Sequence, residues 1–290
     1  MIDKYLKFGQ KTYIMGILNV TPDSFSGDGL LNHDGVVHAA LEQAVRFVEA
    51  GAEILDIGGE STRPGAKTIS AAEELNRILP VIEAINGLKL DVLLSVDTYK
   101  APVAEVALRS GAHWLNDIWG LRADKELAAV VVNAHAPVIL MHNRSKAGQV
   151  ILGERLGGQY LGPEYTNFFE EVKRDLFELA NSAIRAGIRP GQIILDPGVG
   201  FGKSIGQNLE LVNRLDEIKA LGYPVLLGPS RKSFIGYTLD LPPGERLEGT
   251  AAVCAIAIAR GVDILRVHDV AAIARVARMS DAVVRSQVAA

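Results

Sequence analysis

Residues 50–56 read AGAEILD, and the same order of features recurs in SGAHWLND (110–117), LGYPVLL (221–227) and RGVDILRVH (260–268). In each phrase a glycine of the kind that ends a helix precedes a short apolar run. Nearly continuous apolar runs are typical of parallel strands whose two faces are both covered. The phrase therefore predicts a repeated unit in which a helix, a tight turn and a parallel strand follow one another.

Eight apolar runs along the chain are predicted to be strands. They are residues 13–19, 53–57, 92–97, 114–118, 138–142, 193–196, 225–228 and 265–268. The stretches between them have helical periodicity, as in Val37, Leu41, Ala44, Val45 and Val48 ahead of Gly51. Eight βα units with short αβ turns favour an α/β fold with a single (β/α)8 TIM barrel formed by the whole chain. A doubly wound sheet is the alternative.

Composition narrows the class of protein. The net charge is −4 with both signs well mixed, so no basic face is available for a nucleic-acid backbone. The apolar run at 251–259 is far shorter than the ~20 residues that cross a bilayer, and the N-terminal residues lack an apolar signal core. A lone cysteine, Cys254, excludes an internal disulfide framework and is expected to be buried. We expect a cytoplasmic protein with no membrane or nucleic-acid partner.

The predicted strand ends are unusually polar. The residues concerned are Asn19, Asp56, Asp97, Asn116, Asp196, Lys232, Arg266 and His268. Catalytic groups of (β/α)8 barrels lie at the C-terminal ends of the strands, and converging charges need partners or a ligand. Carboxylates and an amide suit a heterocycle with several N–H donors, whereas the cations suit an anion such as a diphosphate. Oxygen ligands such as Asn19 favour Mg²⁺ over zinc.

The segment DPGVGFGKS (196–204) is rich in glycine but fits neither common nucleotide loop. Pro197 stands where a phosphate loop needs its first glycine, and Lys203 stands where GxGxxG needs its third. We expect these glycines to let the backbone approach a flat ligand, with Phe201 and Lys203 at its edge. Met141, at the end of the fifth predicted strand, is expected to be a flat apolar contact.

Seven motifs together resemble dihydropteroate synthases. They are GILNVTPDSFS (16–26), GGESTRPGA (58–66), SVDTYK (95–100), LNDI (115–118), LDPGVGFGK (195–203), SRKSFIG (230–236) and RVHDV (266–270). They occur in order, one to each βα unit, over nearly the whole chain. The resemblance implies a transferase of folate biosynthesis that joins 6-hydroxymethyl-7,8-dihydropterin diphosphate to p-aminobenzoate. It also implies an SN1-like displacement of diphosphate, Mg²⁺ as cofactor, a sulfonamide target and a homodimer formed by outer helices near the C-terminus.

The resemblance also implies roles for individual residues. The pterin would be bound by Asp97, Asn116, Asp196 and Lys232, joined by Met141, and the diphosphate by Asn19, Arg266 and His268, with Asn19 also contacting Mg²⁺. The p-aminobenzoate pocket would comprise Phe25, Thr62, Arg63, Pro64, Phe201 and Ser233. The catalytic residues would be Asp97, Lys232, Arg63, Arg266 and His268.

Two alternatives stay open from the residues alone. A methyltransferase acting between a reduced folate and a corrinoid protein would share the pterin carboxylates, and a non-catalytic pterin-binding barrel would share the fold. Asp56, Glu60 and His142 are expected to be structural. The long connections 21–34 and 144–166 are expected to hold lids or specificity loops.

Overall fold

All eight predicted barrel strands form in the computed structural model, which describes residues 6–21, 33–61, 65–145, 150–151, 153 and 155–285. The strands are β1 (Tyr13–Asn19), β2 (Ile54–Gly58), β3 (Leu93–Asp97), β4 (Trp114–Asp117), β5 (Val138–Met141), β6 (Val150–Ile151), β7 (Gln159–Tyr160), β8 (Ile193–Asp196), β9 (Leu226–Leu227) and β10 (Ile264–Val267). The short strands β6 and β7 pair with each other as an antiparallel hairpin, which the sequence did not predict.

The other eight strands are parallel and follow the order β8-β5-β4-β3-β2-β1-β10-β9. A parallel bridge between Leu195 in β8 and Val225, just before β9, joins the two ends of this order. The sheet therefore closes on itself. The prediction of a (β/α)8 barrel is confirmed, and the doubly wound alternative, which would leave two sheet edges, is wrong.

Helices cover the outside of the barrel between successive strands. They are α1 (His33–Glu49), α2 (Ala71–Gly87), α3 (Ala101–Arg109), α4 (Leu127–Ala134), α5 (Phe168–Arg185), α6 (Ile205–Asn213), α7 (Leu215–Lys219), α8 (Ser233–Leu239), α9 (Leu247–Ala259) and α10 (Val270–Val284). The predicted face of α1 is confirmed for four of its five residues, since Ala44 is buried and Val37, Leu41 and Val48 pack against the core. None of the helices in the described ranges is long and apolar enough to span a membrane.

Two apolar layers hold the barrel together. The larger lies between strands and helices and includes Cys254, which is buried as expected. The smaller fills the barrel interior and consists of Leu6, Tyr13, Met15, Ile54, Leu93, Trp114, Ile139, Ile194, Leu226 and Ile264. Leu6 and Phe8 pack at the N-terminal end of the barrel strands, where the rings of Phe8 and Tyr13 lie edge to face with 5.8 Å between their centroids.

The interior layer explains where the polar residues point. Side chains alternate along a strand, so a residue two positions after an interior apolar residue returns to the interior. The pairs of this kind are Ile54 with Asp56, Trp114 with Asn116, Ile139 with Met141, Ile194 with Asp196 and Ile264 with Arg266. The strand period therefore brings a polar ring together at the C-terminal end of the barrel.

Candidate active site

Arg266 is the electrostatic centre of this polar ring. Its Nε donates to Asp56 Oδ2 at 2.6 Å, and its Nη2 donates to Asp97 Oδ2 at 2.6 Å. Asn116 Nδ2 donates to the same Asp56 oxygen at 2.8 Å. Asp56 is fully buried, so its carboxylate orients Arg266 and Asn116, which supports the structural role expected for it. The guanidinium of Arg266 thereby links β10 to β2 and β3, and Asp56 links β4 to the same group of residues.

Asp97 ends β3 and is almost wholly buried in the mouth. Burial raises the pKa of the Asp97 carboxyl to about 7; the positive charge of Arg266 opposes this increase, and the negative charges of Asp56 and Glu74 add to it. A carboxyl with such a pKa accepts hydrogen bonds as a carboxylate when a cation or an N–H donor is beside it, because such partners favour its ionised form.

The Asp97→Asn substitution provides a test of this environment. An unfolded aspartate titrates near pH ~3.9, so a raised pKa in the folded state means that the folded protein binds the proton more tightly. The stability contributed by Asp97 is therefore complete below about pH 4 and is lost as the pH rises through about 7. We expect the free energy of unfolding of the wild type, relative to that of Asp97→Asn, to be larger at pH 5 than at pH 8 by at least about 1 kcal/mol. Urea denaturation at the two pH values measures this difference, and a difference independent of pH would contradict it.

Lys232 interacts electrostatically with both Asp196 and Arg266, and it lies beside Phe201. Its ammonium nitrogen lies 4.5 Å from the centroid of the Phe201 ring and donates to the carbonyl of Val199. Burial lowers the pKa of Lys232 to about 8, with the charge of Asp196 acting in the opposite direction. Lys232 therefore keeps its proton at neutral pH and is a buried cationic donor beside an aromatic ring.

The glycine-rich loop after β8 packs against protein rather than leaving open space. Gly200 has φ of 82°, and a Cβ there would lie 2.7 Å from Lys232 Cδ, so only glycine leaves room for this lysine. Lys203, which we expected at the edge of the ligand, instead donates to the carbonyls of His142 (3.3 Å), Gly198 (2.8 Å) and Phe201 (3.0 Å). Lys203 is buried and holds the loop together, and burial lowers its pKa to about 7.

Asn19 and Met141 lie beside the carboxylates. A Cβ built on Gly58 would lie 3.7 Å from Asn19 Oδ1 and 3.8 Å from Asp97 Oδ2, so both oxygens border the space beside Gly58. Met141 is buried, and its Cγ lies 3.1 Å from the position of a Cβ on Gly198. Asp196 Oδ1 accepts from the amide of the same glycine at 2.7 Å. Met141 therefore has an apolar position next to Asp196.

His268 and Ser233 complete the described part of the site. His268 lies beside Ser230, with Nδ1 to Oγ at 3.0 Å. Ser233 is the first residue of α8, directly after Lys232. Arg231, between Ser230 and Lys232, points away to an ion pair with Asp269.

Other predicted residues lie elsewhere. His142 is buried and contacts Asp175 of α5 at 3.3 Å, which supports its structural role. The positions of Phe25, Thr62, Arg63 and Pro64 fall outside the described residues. Their assignment to the p-aminobenzoate pocket stays a prediction.

A buried charge network that the sequence analysis missed lies under the connection after β2. Lys100 Nζ donates to Glu60 Oε2 and to Glu74 Oε2, each at 2.6 Å, and Tyr99 donates to Glu60 Oε1 at 2.7 Å. The Glu60 carboxylate also accepts from the amide of Ile69 at 3.1 Å. The network connects Tyr99 and Lys100, which follow Asp97, to Glu60 of the GGESTRPGA motif. The only available signal was the position of Lys100 in SVDTYK.

Replacement of Lys100 by methionine should be strongly destabilising. It would leave Glu74, of which only 1% is exposed, without its cation, and breaking a buried ion pair costs about 3–5 kcal/mol. We expect a loss of about 3 kcal/mol in the free energy of unfolding, measured by urea denaturation. Lys11→Met is the matched control, because its pair with Glu53 is exposed and should change stability by less than about 1 kcal/mol. Equal effects of the two substitutions would contradict the prediction.

Comparisons with known proteins agree with this geometry. Residues 15–268 match the family described as pterin binding enzyme. The dihydropteroate synthase of Clostridium beijerinckii is 47% identical, with 97% of this chain and 98% of the relative covered. The dihydropteroate synthase of Clostridium difficile, solved in the presence of pteroic acid, superposes with a TM-score of 0.87 at 46% identity and covers 97% of this chain and 100% of that one. The Xanthomonas albilineans enzyme with 4-aminobenzoic acid has a TM-score of 0.84 at 40% identity and covers 94% and 93%.

The closed barrel, its ring of carboxylates and cations and the family match define a pterin-binding enzyme. Within that class the chain belongs to the dihydropteroate synthase family, a group of transferases. The resemblance identified from the seven motifs is confirmed, and the corrinoid methyltransferase alternative receives no support.

Proposed function

We propose that the protein condenses 6-hydroxymethyl-7,8-dihydropterin diphosphate with p-aminobenzoate to give 7,8-dihydropteroate and diphosphate. The observation that carries the proposal is the arrangement of Asp97 and Asp196 with the cations Arg266 and Lys232 around one barrel mouth. The carboxylates match the N–H donors of a pterin, and the cations match a diphosphate. The relatives support the same reaction, because solved structures of them contain 4-aminobenzoic acid, the second substrate, and 7,8-dihydropteroate, the product.

Pterin binding uses the interior side chains. Asp196 and Asp97 accept from ring and amino N–H groups, and Asn116, held by Asp56, supplies a directional amide. Lys232 donates to the ring from the opposite side, and Met141 provides an apolar surface. A ligand of this kind gives Asp97 and Asp196 N–H donors in addition to those that the protein supplies, which are Arg266 for Asp97 and the Gly198 amide for Asp196.

The reaction breaks the bond between the exocyclic methylene carbon and the diphosphate oxygen, and the electron pair leaves with the diphosphate. The arylamine nitrogen then forms the new C–N bond and loses a proton. Arg266 and His268 stabilise the charge of the leaving group, which is the largest requirement of an SN1-like route. Asp97 stabilises positive charge that develops on the ring.

Mg²⁺ fits this donor set. No group of three or more histidine, cysteine, aspartate or glutamate residues with metal-binding geometry occurs in the described ranges. Mg²⁺ commonly takes one or two protein oxygens together with water and substrate phosphates, and Asn19 Oδ1 is such an oxygen. When bound, the ion would neutralise charge on the diphosphate.

The arylamine pocket is proposed to lie beside Lys232. Phe201 supplies an aromatic wall, and Ser233 a hydroxyl at the start of α8. The family resemblance adds Phe25 and the segment 62–64, whose loops would exclude water from the reacting carbon. Antibacterial sulfonamides carry the same 4-aminophenyl group as p-aminobenzoate, so the same pocket is proposed to bind them.

A homodimer is proposed through α9 and α10. These two helices pack on each other, and they expose Ile256 (47%), Met279 (66%) and Val283 (69%). Apolar side chains exposed on adjoining helices are typical of a subunit interface. Sedimentation velocity tests the proposal, and the cytoplasmic location stays a prediction.

The deciding experiment measures diphosphate release by the purified protein with Mg²⁺ and 6-hydroxymethyl-7,8-dihydropterin diphosphate, with and without p-aminobenzoate. Dihydropteroate that forms only when both substrates are present supports the proposal, and chelation of Mg²⁺ should stop its formation. Binding of the pterin diphosphate without any turnover would favour the non-catalytic alternative.

A further inference from the structure

The connection between β5 and α5 reaches the aromatic wall of the site. Its hairpin of β6 and β7 ends at Tyr160, whose ring stacks on that of Phe201 with 5.4 Å between centroids and 17° between planes. Phe201 in turn lies 4.5 Å from the ammonium of Lys232. A continuous row of Tyr160, Phe201 and Lys232 therefore leads from the hairpin to the mouth of the barrel.

The residues around Tyr160 are fixed by contacts with the barrel. A Cβ on Gly162 would lie 1.9 Å from the carbonyl oxygen of Gly202, so the two backbones touch directly. The guanidinium of Arg246, itself buried, donates to the carbonyl of Leu156 at 3.0 Å. Because Gly202 follows Phe201, the contact at Gly162 fixes the hairpin relative to the loop that carries the aromatic wall.

A second set of contacts joins the hairpin to α8. The Tyr237 hydroxyl donates to the carbonyl of Gly157 at 3.4 Å, and Arg155 forms an ion pair with Asp240 at the end of α8. Since α8 begins directly after Lys232, the hairpin is attached to both loops that border the aromatic wall. A displacement of the hairpin would therefore also displace Phe201.

We propose that the β6–β7 hairpin is an outer wall of the arylamine pocket and that Tyr160 is a positioning residue, which sets the orientation of the Phe201 ring for p-aminobenzoate. This inference rests on the proposed function. Tyr160 acts on the second substrate through Phe201 and has no part in pterin binding, because Asp97, Asn116 and Asp196 lie on the interior strands. The ring, rather than the hydroxyl, carries the effect.

The test compares Tyr160→Ala, Tyr160→Phe and Leu161→Ala with the wild type. Leu161 is the matched control, since it is adjacent to Tyr160 in the hairpin connection and 42% exposed. We expect Tyr160→Ala to raise KM for p-aminobenzoate about fivefold, the scale expected for loss of one aromatic stack, with kcat changed less than about twofold. The calorimetric Kd for the pterin diphosphate should be unchanged. Tyr160→Phe and Leu161→Ala should behave as the wild type.

An unchanged KM in Tyr160→Ala would overturn the inference, and so would an equal increase in Leu161→Ala, which would point to general damage to the hairpin. The same comparison is made by calorimetry, as the Kd of p-aminobenzoate for protein saturated with pterin and inorganic diphosphate. A wild type that binds p-aminobenzoate but forms no dihydropteroate would disprove the proposed function while the Kd values still decide the role of Tyr160. A wild type that binds no p-aminobenzoate would disprove both.

Discussion

Lys232→Met is expected to reduce kcat by about a hundred- to a thousandfold, the range seen when one preorganised donor is removed from an active site. The methionine keeps an unbranched apolar side chain of similar size but removes the ammonium group that lies over the Phe201 ring and compensates the charge of Asp196. Pterin binding loses a donor, and the buried carboxylate of Asp196 loses a compensating charge. Steady-state dihydropteroate formation and calorimetry of pterin diphosphate binding measure the two effects.

The neighbouring residue is a matched control for Lys232. Arg231 is also cationic and on the same loop, but its guanidinium pairs with Asp269 and is exposed. Arg231→Gln should leave turnover within about threefold of the wild type, as surface ion pairs contribute little. If Arg231→Gln lost as much activity as Lys232→Met, the disturbance would lie in the loop and the specific role of Lys232 would be wrong.

Arg266→Met is expected to damage both stability and activity. Removal of the guanidinium leaves Asp56 and Asp97 as neighbouring buried acids with no cation between them, which costs about 3–5 kcal/mol of the free energy of unfolding. Turnover should also be lost, because Arg266 is the proposed diphosphate anchor. Urea denaturation gives the first quantity and diphosphate release the second.

A double substitution separates these two roles of Arg266. In Asp56→Asn with Arg266→Met, one of the two unpaired acids is neutral, while Asn116 keeps an amide oxygen to donate to. We expect about half of the lost stability to return and none of the lost turnover. Arg46→Met, which removes an exposed ion pair with Glu42, should change neither quantity. Recovery of turnover in the double variant would show that Arg266 acts only on the fold.

Much of the site followed from strand periodicity. Once Ile54, Trp114 and Ile264 are interior residues, the residues two positions later must share their direction, which orients Asp56, Asn116 and Arg266. The motifs LNDI and RVHDV independently contain two of these residues, Asn116 and Arg266.

Contacts between distant residues did not follow from any local pattern. Lys203 appeared as a polar residue in a glycine-rich loop, and only the structure shows that it binds three carbonyls. The hairpin of β6 and β7 has strands of two residues each, too short for an alternation to be recognised.

The sequence by itself determined the eight strands, the closed barrel and the set of polar residues at its mouth. These features depend on the spacing of apolar residues, which repeats every two residues in a strand and about every 3.6 residues in a helix. The tertiary structure alone decided how those residues pair. Arg266 contacts Asp56 and Asp97, which are 210 and 169 residues away in the chain. Tyr160 stacks on Phe201 of the loop after β8, where the backbones of Gly162 and Gly202 are in contact. Such pairings are set by closure of the barrel and by packing between connections, and no local preference in the sequence encodes them.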